Sequence, residues 1–163
     1  MLVALDASAD LSDGRRIPIA DLYTGPGETV LEPADLVVSV RIPEPGRACV
    51  FEKLALWQGD FAVVSVAASS RSRERWEDTR IVFGALAPTP WRPAGAERAL
   101  DGRPFDPAAL RDTVDAQLTR YGHPLPGNAW KLDAAAGLAE RAAERLARTR
   151  PRETEAPEKE ESA

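Results

Sequence analysis

The chain has 163 residues, 44% of them hydrophobic and 29% charged, with a formal net charge of −5 and a pI near 5.0, enough material for one ordinary core. An acidic surface has no general attraction for phosphate backbones or anionic lipid, so neither nucleic acid nor a membrane is expected as a partner. A single cysteine, Cys49, and a single histidine, His123, exclude an intramolecular disulfide framework and a His/Cys zinc site. No apolar run reaches the roughly 20 residues of a spanning helix and no basic-then-apolar leader opens the chain; the expected location is the cytoplasm.

The chain opens "MLVALDASADLSDGRR". Leu2, Val3, Ala4 and Leu5 follow Met1 directly as strand-like core material, so the sequence reads as one that starts part-way through a domain. "LVALDASADLS", the turn residues "SDG" and "RRIPIADLY" predict a β-hairpin, with Pro18 suited to an edge. "TGPGETVLEP" is too rich in glycine and proline for regular structure and predicts a connector. It carries neither of the glycine-rich phosphate-loop patterns.

Four runs rich in β-branched and aromatic residues follow, "DLVVSVRIP", "ACVFEKLALW", "DFAVVSVAAS" and "TRIVFGALAP". Short connections between them predict an antiparallel meander of about four strands. Leu36, Val38, Val40 and Ile42 share one face of the first run, and Val64, Val66 and Ala68 one face of the third, with Phe61, Val63 and Ala67 on the other. Apolar residues on both faces predict a sheet covered twice, by the chain's own helices on one side and by its N-terminal hairpin or a partner on the other. The charged stretch "SRSRERWED", with Arg71, Arg73, Arg75 and Arg80 around Trp76, reads as a solvated hairpin tip.

Helices complete the chain. "AERALDG" predicts a short helix stopped at Gly102. "FDPAALRDTVDAQLTRYG" predicts a longer one, with Asp106 as N-cap, Pro107 at the first helical position, Leu110, Val114 and Leu118 on one stripe, and Gly122 as the stop. From Asn128 a third helix sets Trp130, Ala134, Leu138, Ala142 and Leu146 in line, with small alanines permitting close packing. The final "PRETEAPEKEESA" lacks the apolar surface to offset ordering entropy and predicts a disordered acidic tail. The expected fold is therefore α+β: an antiparallel sheet of about four strands, about three helices, an N-terminal β-hairpin and a disordered tail.

Chemistry is sparse. His123 lies in a loop between helices and Cys49 inside a strand beside Val50 and Phe51, where an inert thiol is the usual outcome. Glu28, Glu32 and Asp35 read as solvated loop residues and a strand flank. No nucleophile, base and metal set converges, which disfavours a stand-alone enzyme.

The order of "ALDA", "GRRIPIADLYTGPGETVLEPADLVVSVRIP", "FEKLALWQGDFAVVSVAAS", "RIVFGALAPTPWRPAGAERALDG" and "AWKLDAAAGLAERAAERL" resembles the flavoprotein, or medium, subunit of the molybdenum hydroxylases, of the carbon monoxide dehydrogenase and xanthine dehydrogenase type. The resemblance runs from about Leu2 to Leu146. It implies residues 1–31 as a remnant hairpin and connector ending an FAD domain, 32–150 as the flavoprotein's C-terminal domain, and 151–163 as the acidic tail. The glycine-rich segments that wrap FAD in the family are absent, which a split gene, a truncation or a relic put to another use would each explain.

The resemblance implies FAD as cofactor, shared with an N-terminal half, and an electron path from a molybdenum centre through iron–sulfur clusters to the flavin. Its implied partners are that half, a molybdenum-cofactor large subunit and a 2Fe–2S small subunit, with a homodimer as a further arrangement. Lys53 in "VFEK", or Glu52 if the register slips by one, falls where family members approach the flavin, and Val37 corresponds to an apolar residue near the isoalloxazine ring. Leu56, Trp57 and Gln58 stand where the family pattern has basic residues. The alternative is a flavin-free module that uses its apolar sheet face to bind a small ligand, dimerise or dock a partner.

Overall fold

The structure is a computed structural model that describes residues 1–44 and 47–149. It is α+β, with antiparallel strands and three α-helices: β1 (Ser8–Leu11), β2 (Arg16–Pro18), β3 (Tyr23–Gly25), β4 (Glu28–Thr29), β5 (Val37–Arg41), β6 (Ala48–Leu54), β7 (Val64–Ser70), β8 (Arg80–Gly84), α1 (Ala94–Leu100), α2 (Pro107–Tyr121) and α3 (Trp130–Arg148). The tail predicted over 151–163 lies outside the described residues.

The β1–β2 hairpin forms as the sequence predicts, but Leu2–Leu5 is a 3-10 turn rather than a strand. Asp6 ends it in the left-handed region, φ 56°, with its N–H donated back to the turn's carbonyls. Ala4 and Leu5 are still buried, so the hydrophobic signal marked burial correctly and geometry wrongly.

The sheet that carries the helices has three strands, in the order β6-β7-β8, rather than four. β5 instead completes a second sheet, β2-β1-β5, pairing antiparallel with β1. Polar cross-strand ties hold it there. Ser39 Oγ donates to Asp10 at 2.8 Å and Arg41 sits 3.5 Å from the same carboxylate, while Arg16 reaches Asp10 from the other side. Hydrophobic alternation in β5 alone cannot choose between β1 and β6, and these ties to one aspartate match the choice.

On the helix side of the β6-β7-β8 sheet, Val50, Val66, Ala68, Ile81 and Phe83 meet α2 and α3 in one core cluster. Ala135, Ala136, Ala139, Ala142 and Ala143 bring the α3 backbone close to that surface, and Leu110, Val114 and Leu118 seal α2 into it. Burying a leucine such as Leu110 stabilises the fold by about 1.5–3 kcal/mol. Asp106 caps α2 by accepting from the Ala108 N–H at 3.0 Å. Trp76 is not at a solvated tip: it is fully buried, stacks on Phe105 with ring centroids 3.9 Å apart, and its backbone N–H donates to the Arg103 carbonyl at 2.9 Å. No helix among the described residues is long and apolar enough to cross a membrane.

Candidate functional site

Strand periodicity sorts β6 between two environments. Val50 and Glu52 point to the helices, opposite Ala68 and Val66 of β7, whereas Cys49, Phe51 and Lys53 point to the other face, opposite Ser69, Ala67 and Ser65. Extending across β7 to β8 gives two rows on that face, Phe51–Ala67–Val82 and Lys53–Ser65–Gly84.

These rows, Lys53 apart, form the floor of a shallow cavity of about 300 Å³. Phe51, Ser65, Ala67, Val82 and Gly84 line it from the sheet, and Leu2, Val3, Ile19 and Tyr23 from the N-terminal segment. Ala4 covers part of the same face, packing with Ala67 and Val82, so both sides of β7 are covered, as the apolar pattern predicts. A Cβ on Gly84 would lie 2.6 Å from Ser65 Oγ, so the Ser65 hydroxyl would have to rotate away.

Lys53 stands at the edge of this floor, exposed, with its ammonium donating to the Asp60 carbonyl at 3.0 Å. Glu52, the alternative in the sequence register, is buried against α3 in an ion pair with Arg145 and a second with Arg141 at 3.4 Å. Val37 lies on β5 in the other sheet, exposed, paired with Leu11. The structure thus sets Lys53 and Val37 on different sheets. Sequence reasoning missed Phe51, Ser65, Ala67, Val82 and Gly84 as a group, and the signal that finds them is the alternation of β6 through β8 read in register.

The accessible members of this face are Phe51, Ser65 and Gly84, with the Lys53 ammonium in the row beside Phe51, whereas Ala67 and Val82 are buried under the N-terminal segment. An aromatic ring, a hydroxyl and an ammonium are groups that could contact the edge of an isoalloxazine, and they form no cradle for a pyrophosphate. The β6–β7 connection carries further apolar surface, with Leu56, Trp57 and Phe61 exposed, Phe61 at 92%. β5, an edge strand, exposes Val37, Val38 and Val40, and Leu36 and Ile42 are exposed at its two ends.

His123 and Cys49 form no catalytic pair. His123 is exposed in the loop after α2, at a cavity of about 360 Å³ that Trp91, Tyr121, Leu125 and Lys131 also line. Cys49 is half-buried in β6, and no hydrogen bond joins the two among the described residues. Asp35, at the flank of β5, has its side chain 8% exposed, is paired with Arg15 and accepts from the Glu32 N–H at 2.8 Å.

Residues 50–146 match the model of the CO dehydrogenase flavoprotein C-terminal domain. The chain is 31% identical over 110 residues to the carbon monoxide dehydrogenase medium chain of Hydrogenophaga pseudoflava, covering 65% of this chain and 38% of that one. It is 34% identical over 125 residues to the aldehyde oxidoreductase FAD-binding subunit PaoB of Escherichia coli, covering 72% and 36%. It therefore spans well under half the length of these relatives. Among solved structures, a carbon monoxide dehydrogenase from Hydrogenophaga pseudoflava superposes with a TM-score of 0.75 at 27% identity, over 89% of this chain and 55% of that one. With the helix-backed three-stranded sheet and the sequence both matching, the chain belongs to the CO dehydrogenase flavoprotein C-terminal domain family.

Proposed function

We propose that the chain is the C-terminal part of an FAD-binding subunit of a molybdopterin-dependent oxidoreductase, working in the cytoplasm. The observation that carries this reading is the match of residues 50–146 to this family's domain, with Phe51, Ser65 and Gly84 accessible on the sheet face to which Lys53 also points. FAD, when bound, supplies the electron exchange between iron–sulfur clusters and an external acceptor. The chain's own share is positional. Phe51, Ser65 and Gly84 pack one flank of the isoalloxazine, Lys53 places a positive charge at its edge, and Val37, from the other sheet, adds an aliphatic contact that brings no redox group.

Residues 1–31 would belong with the FAD-binding half and 32–150 with the C-terminal domain. The remaining partners would be that FAD-binding half, a molybdenum-cofactor large subunit and a 2Fe–2S small subunit. The exposed apolar residues of β5 and of the β6–β7 connection support docking on these sides. They equally favour the second reading, a flavin-free module that dimerises or docks through the same surfaces.

The test mixes this chain with the separately expressed N-terminal half of the PaoB relative and FAD, then records flavin absorbance after desalting. Flavin retained only when both halves are present supports the reading. Association of the halves without flavin, or no association at any FAD concentration, overturns it, and self-association of the chain by sedimentation would support the flavin-free module.

A further inference from the structure

At the margin of the sheet where Ala48 pairs with Ser70, a cavity of about 530 Å³ opens among Arg47, Arg71, Ser72, Arg73, Glu44 and Glu74. Arg47 is the buried member, its side chain only 1% exposed. Its Nε donates to Ser69 Oγ at 3.0 Å, and its Nη1 to Asp78 at 2.8 Å and to Glu44 at 3.2 Å. Its Nη2 is buried with no acceptor, and so is Arg73 Nε.

A guanidinium cannot shed its proton to escape this situation. Buried donors are normally paired, and both of these nitrogens belong to arginines that line one cavity, which calls for an acceptor. A tetrahedral oxyanion supplies it, since several oxygens on one centre can take both N–H groups at once and match the fork of a guanidinium. Ser72 adds a hydroxyl whose oxygen accepts from the Glu74 N–H at 3.2 Å, leaving its proton to donate inward. Arg71 stands at the rim, half-exposed and paired with Glu44.

Carboxylates bear on the same space. Glu44 and Asp78 are already engaged by Arg47 and Arg71. Glu74 is exposed, makes no ion pair among the described residues, and opposes an incoming anion. With Asp78 included, three carboxylates stand against the three guanidiniums, so the attraction for an anion comes from the unpaired donors and not from net charge.

We propose that this cavity binds a phosphate-type oxyanion, free or as the head of a phosphomonoester, through the unpaired donors of Arg47 and Arg73 with Ser72. It sits at the other end of β6 from Lys53, about 17 Å along the strand, so it stands apart from the flavin reading.

The experiment is calorimetric titration of the whole chain with inorganic phosphate and, separately, with glycerol 2-phosphate, at pH 7 and fixed ionic strength, because salt screens the exposed Arg71. Saturable binding is expected, weakened about tenfold or more in Arg73→Ala by the loss of one charge-assisted donor. Glu74→Gln, which removes a repelling charge and no packing, tightens binding several-fold and keeps the test decisive if Arg73→Ala does not fold. Tighter binding of glycerol 2-phosphate identifies an ester headgroup, and tighter or equal binding of phosphate identifies a free anion. No saturable binding of either probe, or equal affinity in wild type and both variants, overturns the site.

Discussion

Glu52 of β6 and Arg145 of α3 form an ion pair across the sheet–helix interface, with the carboxylate 5% exposed and Arg141 approaching its other oxygen at 3.4 Å. The pair pins the last turns of α3 to the strand that carries Lys53. Arg145→Ala leaves a buried carboxylate with one distant partner and is expected to lower stability by roughly 1–3 kcal/mol. Glu52→Gln, which keeps an acceptor and removes the charge, should lose less. Urea unfolding with an unchanged m-value checks both, and equal stability of Arg145→Ala and wild type would rule the pair out as a fastener.

Glu97 of α1 plays a comparable part at β8. It is buried, accepts from the Ile81 N–H at 2.8 Å, and is held by Arg92 Nε at 2.9 Å. Glu97→Ala orphans a strand N–H and should destabilise by about 1–3 kcal/mol. Amide hydrogen exchange at Ile81 reports the loss locally and separates it from a general loosening.

Glu44 gives the fold an acid-sensitive contact. The Arg71 guanidinium first, and Arg47 after it, hold the Glu44 carboxyl down at about 2, against 4.5 for an unperturbed group. Between these values the unfolded chain binds more protons at this site than the folded one, so stability rises with pH there. The contribution is complete above pH 4.5 and lost as pH falls toward 2. Thermal melts across this window should be steeper in pH for wild type than for Glu44→Gln.

The flavin reading makes a redox prediction at Lys53. Removing the ammonium with Lys53→Met should shift the midpoint potential of the assembled flavoprotein negative, on the order of 30 mV for about 1.4 kcal/mol of lost stabilisation of the reduced ring. Spectroelectrochemical titration of the FAD-loaded two-half assembly measures it. An unchanged potential would place Lys53 away from the ring.

On β5, Val38 is the extra residue where the register with β1 slips, and it is 63% exposed. Val38→Lys should leave stability within about 0.5 kcal/mol of wild type while suppressing self-association or docking on that edge. Sedimentation velocity of the isolated chain, with and without the change, checks this.

Element types were legible wherever local chemistry decides them. The Asp106 cap, the stripe of α2 and the alanine face of α3 needed no tertiary information, and the hairpin around "SDG" followed from its turn residues. Partner choice was not legible. β5 is equally apolar whichever strand it meets, and only the tie between Asp10, Ser39 and Arg41, separated by some thirty residues of chain, marks β1 as its neighbour. Trp76 was misread because its charged neighbours dominate the local pattern, while the stack on Phe105 is a long-range contact. The floor around Gly84 and the orphaned donors of Arg47 and Arg73 are both products of register and burial, which composition does not record.

The alternation in β6 has a consequence for inserted and deleted residues. Glu52 and Lys53 face opposite sides of one strand, so gaining or losing a single residue between Ala48 and Leu54 would turn the acidic side chain to the open floor and drive the ammonium into the alanines of α3. Length variation among relatives should therefore gather in the connection 55–63, and a gap placed inside β6 would mark a misalignment rather than a divergent member.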